Sequence, residues 1–223
     1  MKNIIYYFLL ITFISSCNSD DDMKDRAYYH FEDTDYDKII SYNTNQILEF
    51  RNENNEVLSF EVINNTLDFK TTNYAYNAGL WSSDPKKTFD FDKKIIELVP
   101  SENPYSNDNL RIAFKRFPID WSTAEENEFK KYPSRFIAFL DDFPFWNKNN
   151  GSNAVGGTAI INYSNATTQM EINNFIYENV YTLSSNNPTI ENGGQDVNII
   201  YYDKYYGIIG FDDLNDLHWR LSQ

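Results

Sequence analysis

Cysteine occurs once, histidine twice and glycine eight times in 223 residues. A single cysteine excludes an intrachain disulfide and the cysteine-rich zinc sites. The two histidines, His30 and His218, lie near opposite ends of the chain and form no H-E-x-x-H motif or histidine cluster. The glycines complete no phosphate-cradling loop: G-x-x-x-x-G-K-[ST] and G-x-G-x-x-G are both missing, as is G-x-S-x-G. Basic residues are few, 19 Lys and Arg against 33 Asp and Glu, for a formal net charge of −14. Such a charge repels phosphates and speaks against a nucleic-acid partner. No apolar run is long enough to cross a bilayer. The longest, Ile4 to Ile14, has eleven residues, where about 20 are needed.

That run has another use. It follows Met1-Lys2-Asn3, which carries one positive charge, and it ends in Ile14-Ser15-Ser16-Cys17. A charged start, a short apolar stretch and small residues match a signal peptide. An aliphatic residue, two small ones and then cysteine resemble the lipobox of bacterial lipoproteins. The resemblance implies a diacylglyceryl group on Cys17, cleavage between Ser16 and Cys17, and an acyl chain on the new amino group. The only cysteine of the chain stands at this position. One acyl chain holds a protein to a membrane only marginally, and two or more signals make the anchor stable. Asn18-Ser19-Asp20-Asp21-Asp22 follows, and it resembles the acidic stretch behind the cysteine of surface-exposed lipoproteins of Bacteroidota-type bacteria. The implied location is the outer membrane, facing the cell exterior. Residues 17–27 then form a lipidated, acidic, flexible tether, and residues 28–223 a single domain.

Within that domain the composition is aromatic: 17 Tyr, 17 Phe and 4 Trp. Short runs rich in Ile, Val, Tyr and Phe alternate with clusters of Asn, Asp, Gly and Pro, the pattern of strands and turns. Ile47–Arg51 and Val57–Ile63 read as a hairpin across Asn52–Glu56. Further strands are expected at 88–92, 95–99, 110–117, 135–140, 158–163, 169–172, 180–183, 197–202, 207–211 and 217–221. The fold expected is mainly β, an antiparallel sandwich or a curved half-barrel, with one or two short helices. Ser122-Thr123-Ala124-Glu125 fits a capping box and starts a helix to about Lys131. The C-terminal stretch Tyr201-Tyr202-Asp203-Lys204-Tyr205-Tyr206-Gly207-Ile208-Ile209-Gly210-Phe211, with Trp219 and Leu221, resembles the ending of uncharacterised lipoproteins with a YY-x-x-x-YGIIGF…W-x-L pattern. Phe175–Tyr181 fits their lead-in strand. That resemblance implies no activity.

Candidate chemistry is sparse. Asp33, Asp35 and Asp37 alternate like the start of a calcium loop, but an EF-hand needs Gly at the sixth place and Glu at the twelfth, and Lys38 and Thr44 stand there. A looser calcium site using Asp212, Asp213 and Asp216 is the only cofactor expectation beyond the lipid on Cys17. Trp81, Trp121 and Trp146 stand beside Ser, Asp and Asn, where indole faces and polar partners suit sugar rings; the competing role for aromatics is the β-core. The leading expectation is a non-enzymatic envelope accessory or interaction module held to the membrane by lipid, with envelope proteins or glycans as partners. The alternative is a glycan- or small-ligand-binding lipoprotein of a nutrient-capture system. A third reading is a two-carboxylate hydrolase.

Overall fold

The computed structural model describes residues 26–74, 87–101, 110–119, 133–143, 157–184, 197–213 and 215–222. Strand β1 (Ala27–Tyr29) precedes a one-turn helix, α1 (Asp33–Tyr36). The remaining strands are β2 (Ile47–Arg51), β3 (Val57–Tyr74), β4 (Lys87–Pro100), β5 (Leu110–Pro118), β6 (Ser134–Phe143) and β7 (Gly157–Ile161). After them come β8 (Thr168–Ile172), β9 (Phe175–Ser184), β10 (Val197–Asp203), β11 (Gly207–Asp213) and β12 (His218–Ser222). All twelve belong to one sheet in the order β7-β6-β5-β4-β3-β2-β12-β11-β10-β9-β8, with β1 beside β4. Of the two β architectures expected, the curled half-barrel is the one formed.

The order is nearly cyclic. β2 to β7 run as one meander, β8 to β12 as another, and β12 joins them by pairing with β2. The two free edges, β7 and β8, are sequence neighbours linked by residues 162–167. They approach each other: the Tyr163 ring lies 5.4 Å from that of Tyr181 on β9. The curled sheet is therefore open along one seam.

Short polar side chains fix the turns. Asn52 Oδ1 accepts from the backbone N–H of Asn54 and of Glu56, each at 3.0 Å, and Asn55 takes φ 62°. Asp203 Oδ1 accepts from Tyr205 N at 2.8 Å and Tyr206 N at 3.1 Å. Asp213 does the same for Asn215 and Leu217 at 2.8 and 3.1 Å. These are the Asx turns that let Asn and Asp displace regular backbone pairing.

Three expectations change. The strands placed at 88–92 and 95–99 are one strand, β4. Lys93 and Lys94 do not interrupt it, because β3 and β5 hold them from both sides, Lys93 against Asp68 and Lys115 and Lys94 against Leu67 and Phe114. The strand read as ending at Ile63 continues through a bulge to Tyr74, since β4 supplies a partner residue by residue. And β1 and α1 form within residues 27–36, where Ala27 was read as the end of the tether and residues 28–36 only as the start of the domain; Ala27 is buried with Phe89 and Phe91. β5 leaves β4 after Lys115 pairs Lys93, and β1 takes its place beside Phe89, Asp90 and Phe91. The helix expected at Ser122 to Lys131 lies outside the described residues.

The inner face carries the main core. Val62, Ile96, Leu98, Ile112, Phe114, Leu140, Ile200 and Tyr202 are fully buried there, closed by Phe50, Phe211 and Trp219. Residues 31–42 cross this face and contribute Phe31, Ile40 and Tyr42. The Tyr42 hydroxyl donates to Tyr206 O at 2.8 Å and accepts from Ile208 N at 3.2 Å. Burial raises its pKa well above the ordinary tyrosine value, so it stays a neutral donor. Two satellite clusters lie outside, one of Ala27, Tyr29, Phe89 and Phe91, the other of Ile172, Tyr177, Val180 and Ile209. Among the described residues no helix is long and apolar enough to cross a membrane.

Candidate functional site at the seam

β7 is shorter than the strand it pairs with. Its ladder to β6 covers Ala138, Phe139, Leu140 and Phe143, whereas β5 pairs with β6 from Ser134 onward. Among the described residues, no strand lies beside Ser134–Ile137 on the β7 side. A cavity of about 750 Å3 opens there, between this edge, α1 and the residues that follow β7.

Side-chain alternation sends the residues of β5 and β6 to opposite walls of the cavity. On the inner side stand Arg116 and Phe136, continuing the buried row Leu110, Ile112 and Phe114. Arg116 is 9% exposed and Asp35 of α1 only 1%. The guanidinium donates from Nη1 to Asp35 Oδ2 at 2.7 Å, from Nε to Ser134 Oγ at 2.9 Å, and from Nη2 to Glu32. Asp35 Oδ2 also accepts from the backbone N–H of Glu32 at 3.0 Å. Its Oδ1 accepts no hydrogen bond and has the Lys38 ammonium at 3.7 Å. Lys38 lies over the Phe136 ring at 5.3 Å, and its carbonyl accepts from the Tyr163 hydroxyl at 3.0 Å. Asp35, one of the three alternating carboxylates whose EF-hand match fails at Lys38 and Thr44, is thus the anchor of Arg116.

On the outer side stand Lys115, Arg135, Ile137 and Phe139, with Ile160 of β7 exposed beside them. The Lys115 ammonium lies 4.7 Å above the Phe117 ring and 5.2 Å above that of Phe139. Burial holds this ammonium below the usual lysine range, and repulsion from Lys93 and Arg135 adds to it. The cavity therefore gathers Lys38, Lys115, Arg116 and Arg135 against Glu32 and Asp35, in a chain of net charge −14.

Of these side chains only Asp35 and Lys38 were considered from the sequence, and not for this role. The signal was there in β5: Leu110, Ile112, Phe114 and Arg116 share one face, so the alternation that predicts a core strand also points an arginine inward. A buried guanidinium requires a paired carboxylate.

The residues the sequence did single out fall elsewhere. Ser16, Cys17, Trp81, Trp121 and Trp146 lie outside the described residues. Trp219 is core, 3% exposed and stacked on Phe211. His30 is exposed, with its ring 5.8 Å from that of Tyr28. His218 sits on the outer face with Nδ1 3.0 Å from Asp212. Asp212 also accepts from Arg220 at 2.7 Å and from the Tyr201 hydroxyl at 2.8 Å. Asp213 is committed to its turn and to the Trp219 indole N–H at 3.2 Å. Among the described residues no group of three or more His, Cys, Asp or Glu is placed to hold a metal ion.

Asp212 has a pH signature. Burial, the largest influence, opposes its ionisation, but the hydrogen bonds and charge of Arg220, with Tyr201 and His218, outweigh it and lower its pKa. The stability gained from ionised Asp212 is complete above the ordinary aspartate value of about 4. It disappears as pH falls through the lower folded value. Asp212→Asn is expected to cost about 1–2 kcal/mol at neutral pH and much less near the acid limit of folding. Denaturant midpoints measured at both conditions check this, and an equal loss at both would contradict it.

Comparison with known proteins returns no matching family model, no matching curated protein and no matching solved structure.

Proposed function

We propose that the chain is a lipid-anchored lipoprotein of the outer membrane, facing the cell exterior, whose β-domain is a non-enzymatic interaction module that takes its partner at the seam. The observation that carries this reading is the cavity: four cations and the rings of Phe136, Phe139 and Tyr163 surround about 750 Å3 at the opening of the sheet. Cation surplus over an aromatic floor, in an otherwise acidic molecule, suits recognition of an acidic partner. The anchor is supported by the lipobox-like stretch ending at Cys17 and by the acidic tether behind it.

One observation favours glycan capture as a second reading. A cavity of about 530 Å3 lies between Tyr36 and Tyr205, lined also by Asp37, Ser41 and Lys204. Both rings are more than half exposed, and exposed rings with polar neighbours suit a sugar face.

A photo-crosslinking residue placed at Ile160 or at Tyr205, in the full chain on intact cells, separates the readings. The expected result is a protein adduct from Ile160 and none from Tyr205, with the chain labelled by palmitate and labelling abolished in Cys17→Ala. Unchanged palmitate labelling in that variant would remove the anchor. A protease-resistant polysaccharide adduct from Tyr205 alone would transfer the function to the second reading, and no adduct at Ile160 would defeat the seam as a partner site.

A further inference from the structure

We propose that the partner binds the seam as an extended acidic segment that adds a strand to β6 along Ser134–Ile137. This deepens the interaction-module reading and rests on it.

Three observations converge. The edge is available: Ser134, Arg135, Phe136 and Ile137 have β5 on one side, and among the described residues no strand on the other. Backbone groups at such an edge pair with an incoming chain, and alternate side chains of that chain are then read by pockets on the two faces. The track is already laid: β7 pairs antiparallel with Ala138–Leu140, so an added strand continues the same ladder beyond Ile161. And both faces set a cation over an aromatic ring, with the uncompensated charge on the outer one. Inside, Lys38 lies over Phe136 beside Arg116. Outside, Lys115 lies over Phe139 beside Arg135. A strand sends successive side chains to opposite faces, so a segment with acids at alternate positions sets them against Lys115 and Arg135 in the outward register.

Glu32 and Asp35 balance Arg116 and Lys38 on the inner side, so the surplus positive charge is that of the outer side. Lys115 and Arg135 add positive charge on the outer side. The cavity is also large enough for a backbone and its first side-chain atoms on each face.

Charged side chains beside an open edge have a second use, guarding against edge-to-edge pairing of two copies. The experiment must therefore separate recognition from guarding. The probe is a fluorescein-labelled peptide of about ten residues, with Glu alternating with Val and Thr, which covers the open edge at roughly 3.3 Å per residue. Two further peptides serve as comparators: one with Lys for Glu, and one N-methylated at alternate peptide bonds. Anisotropy is measured with the full-length chain in detergent.

Saturable binding of the acidic peptide is expected. The Lys peptide should not bind, and N-methylation should abolish the signal. Lys115→Glu/Arg135→Glu should weaken binding by about tenfold or more, with an unchanged melting temperature. Binding that survives N-methylation would overturn strand addition and leave charge capture alone. Self-association of the charge-reversed variant, with peptide affinity unchanged, would make these charges guards only. Failure of the peptide while Ile160 still cross-links a protein would sink this inference and leave the interaction-module reading standing. Failure of both would remove the two together.

Discussion

Arg116→Met is expected to destabilise the domain by about 3–5 kcal/mol, the cost typical of removing one partner from a buried ion pair. For a domain of this size that corresponds to a melting temperature lower by roughly 6–20 °C. Among the described residues Arg116 is the only cation within hydrogen-bond distance of Asp35, at 2.7 Å, and Asp35 is 1% exposed. Lys38, at 3.7 Å and partly exposed, cannot replace it. The same guanidinium ties α1 to β6 through Glu32 and Ser134. Its loss therefore releases the helix as well as leaving a buried charge. Asp35→Asn combined with Arg116→Met should recover part of the loss, because the uncompensated charge is then gone. Calorimetry on the two single variants and the double variant decides it. A loss below about 1 kcal/mol, typical of exposed pairs, would show that the pair is solvated in solution.

Gly207→Ala is expected to cost about 2–5 kcal/mol. Gly207 takes φ 79° at the turn between β10 and β11, a conformation that costs an L residue about 1–2 kcal/mol. A Cβ there would fall against the Tyr42 hydroxyl, 2.9 Å from Tyr42 Cζ and 2.8 Å from Ile40 Cδ1. Neither neighbour can yield cheaply. Tyr42 is held by Tyr206 and Ile208, and Ile40 is 2% exposed. Overpacking adds about 1–3 kcal/mol. Asn tolerates positive φ better than Ala, so Gly207→Asn separates the causes. If crowding dominates, as the geometry requires, Asn is no better than Ala. A marked rescue by Asn in a urea titration would assign the loss to backbone strain instead.

These two sites show what the sequence could and could not disclose. Strand positions were legible because alternation of large apolar residues reports burial directly, as in Leu110 to Phe114. Turn chemistry was legible for the same local reason: Asn52, Asp213 and Gly207 act on their own neighbours. Elements made by remote partners were not. β1 exists because β5 diverges from β4 and vacates Phe89–Phe91, and nothing within Ala27–Tyr29 announces that. The seam cavity was illegible on the same ground, since Asp35 and Arg116 meet across 81 positions. The alternation of Asp33, Asp35 and Asp37 was visible locally, but the decisive partner of Asp35, Arg116, was not.

The near-cyclic strand order also bears on how the chain reaches its native state. Almost every pairing links consecutive strands, so each meander can zip up from local contacts. The exceptions are β1 on β4 and, over a far longer span, β12 on β2, where Ser222 bonds Glu49 across 173 positions. Closing a loop of that length before any contact rewards it is the entropically slow event of the topology. Moving the chain ends to residues 162–167, and linking the present ones, would turn the two meanders into one. In such a circular permutant the long closure becomes a short connection, while the open edge of β6 stays where it is.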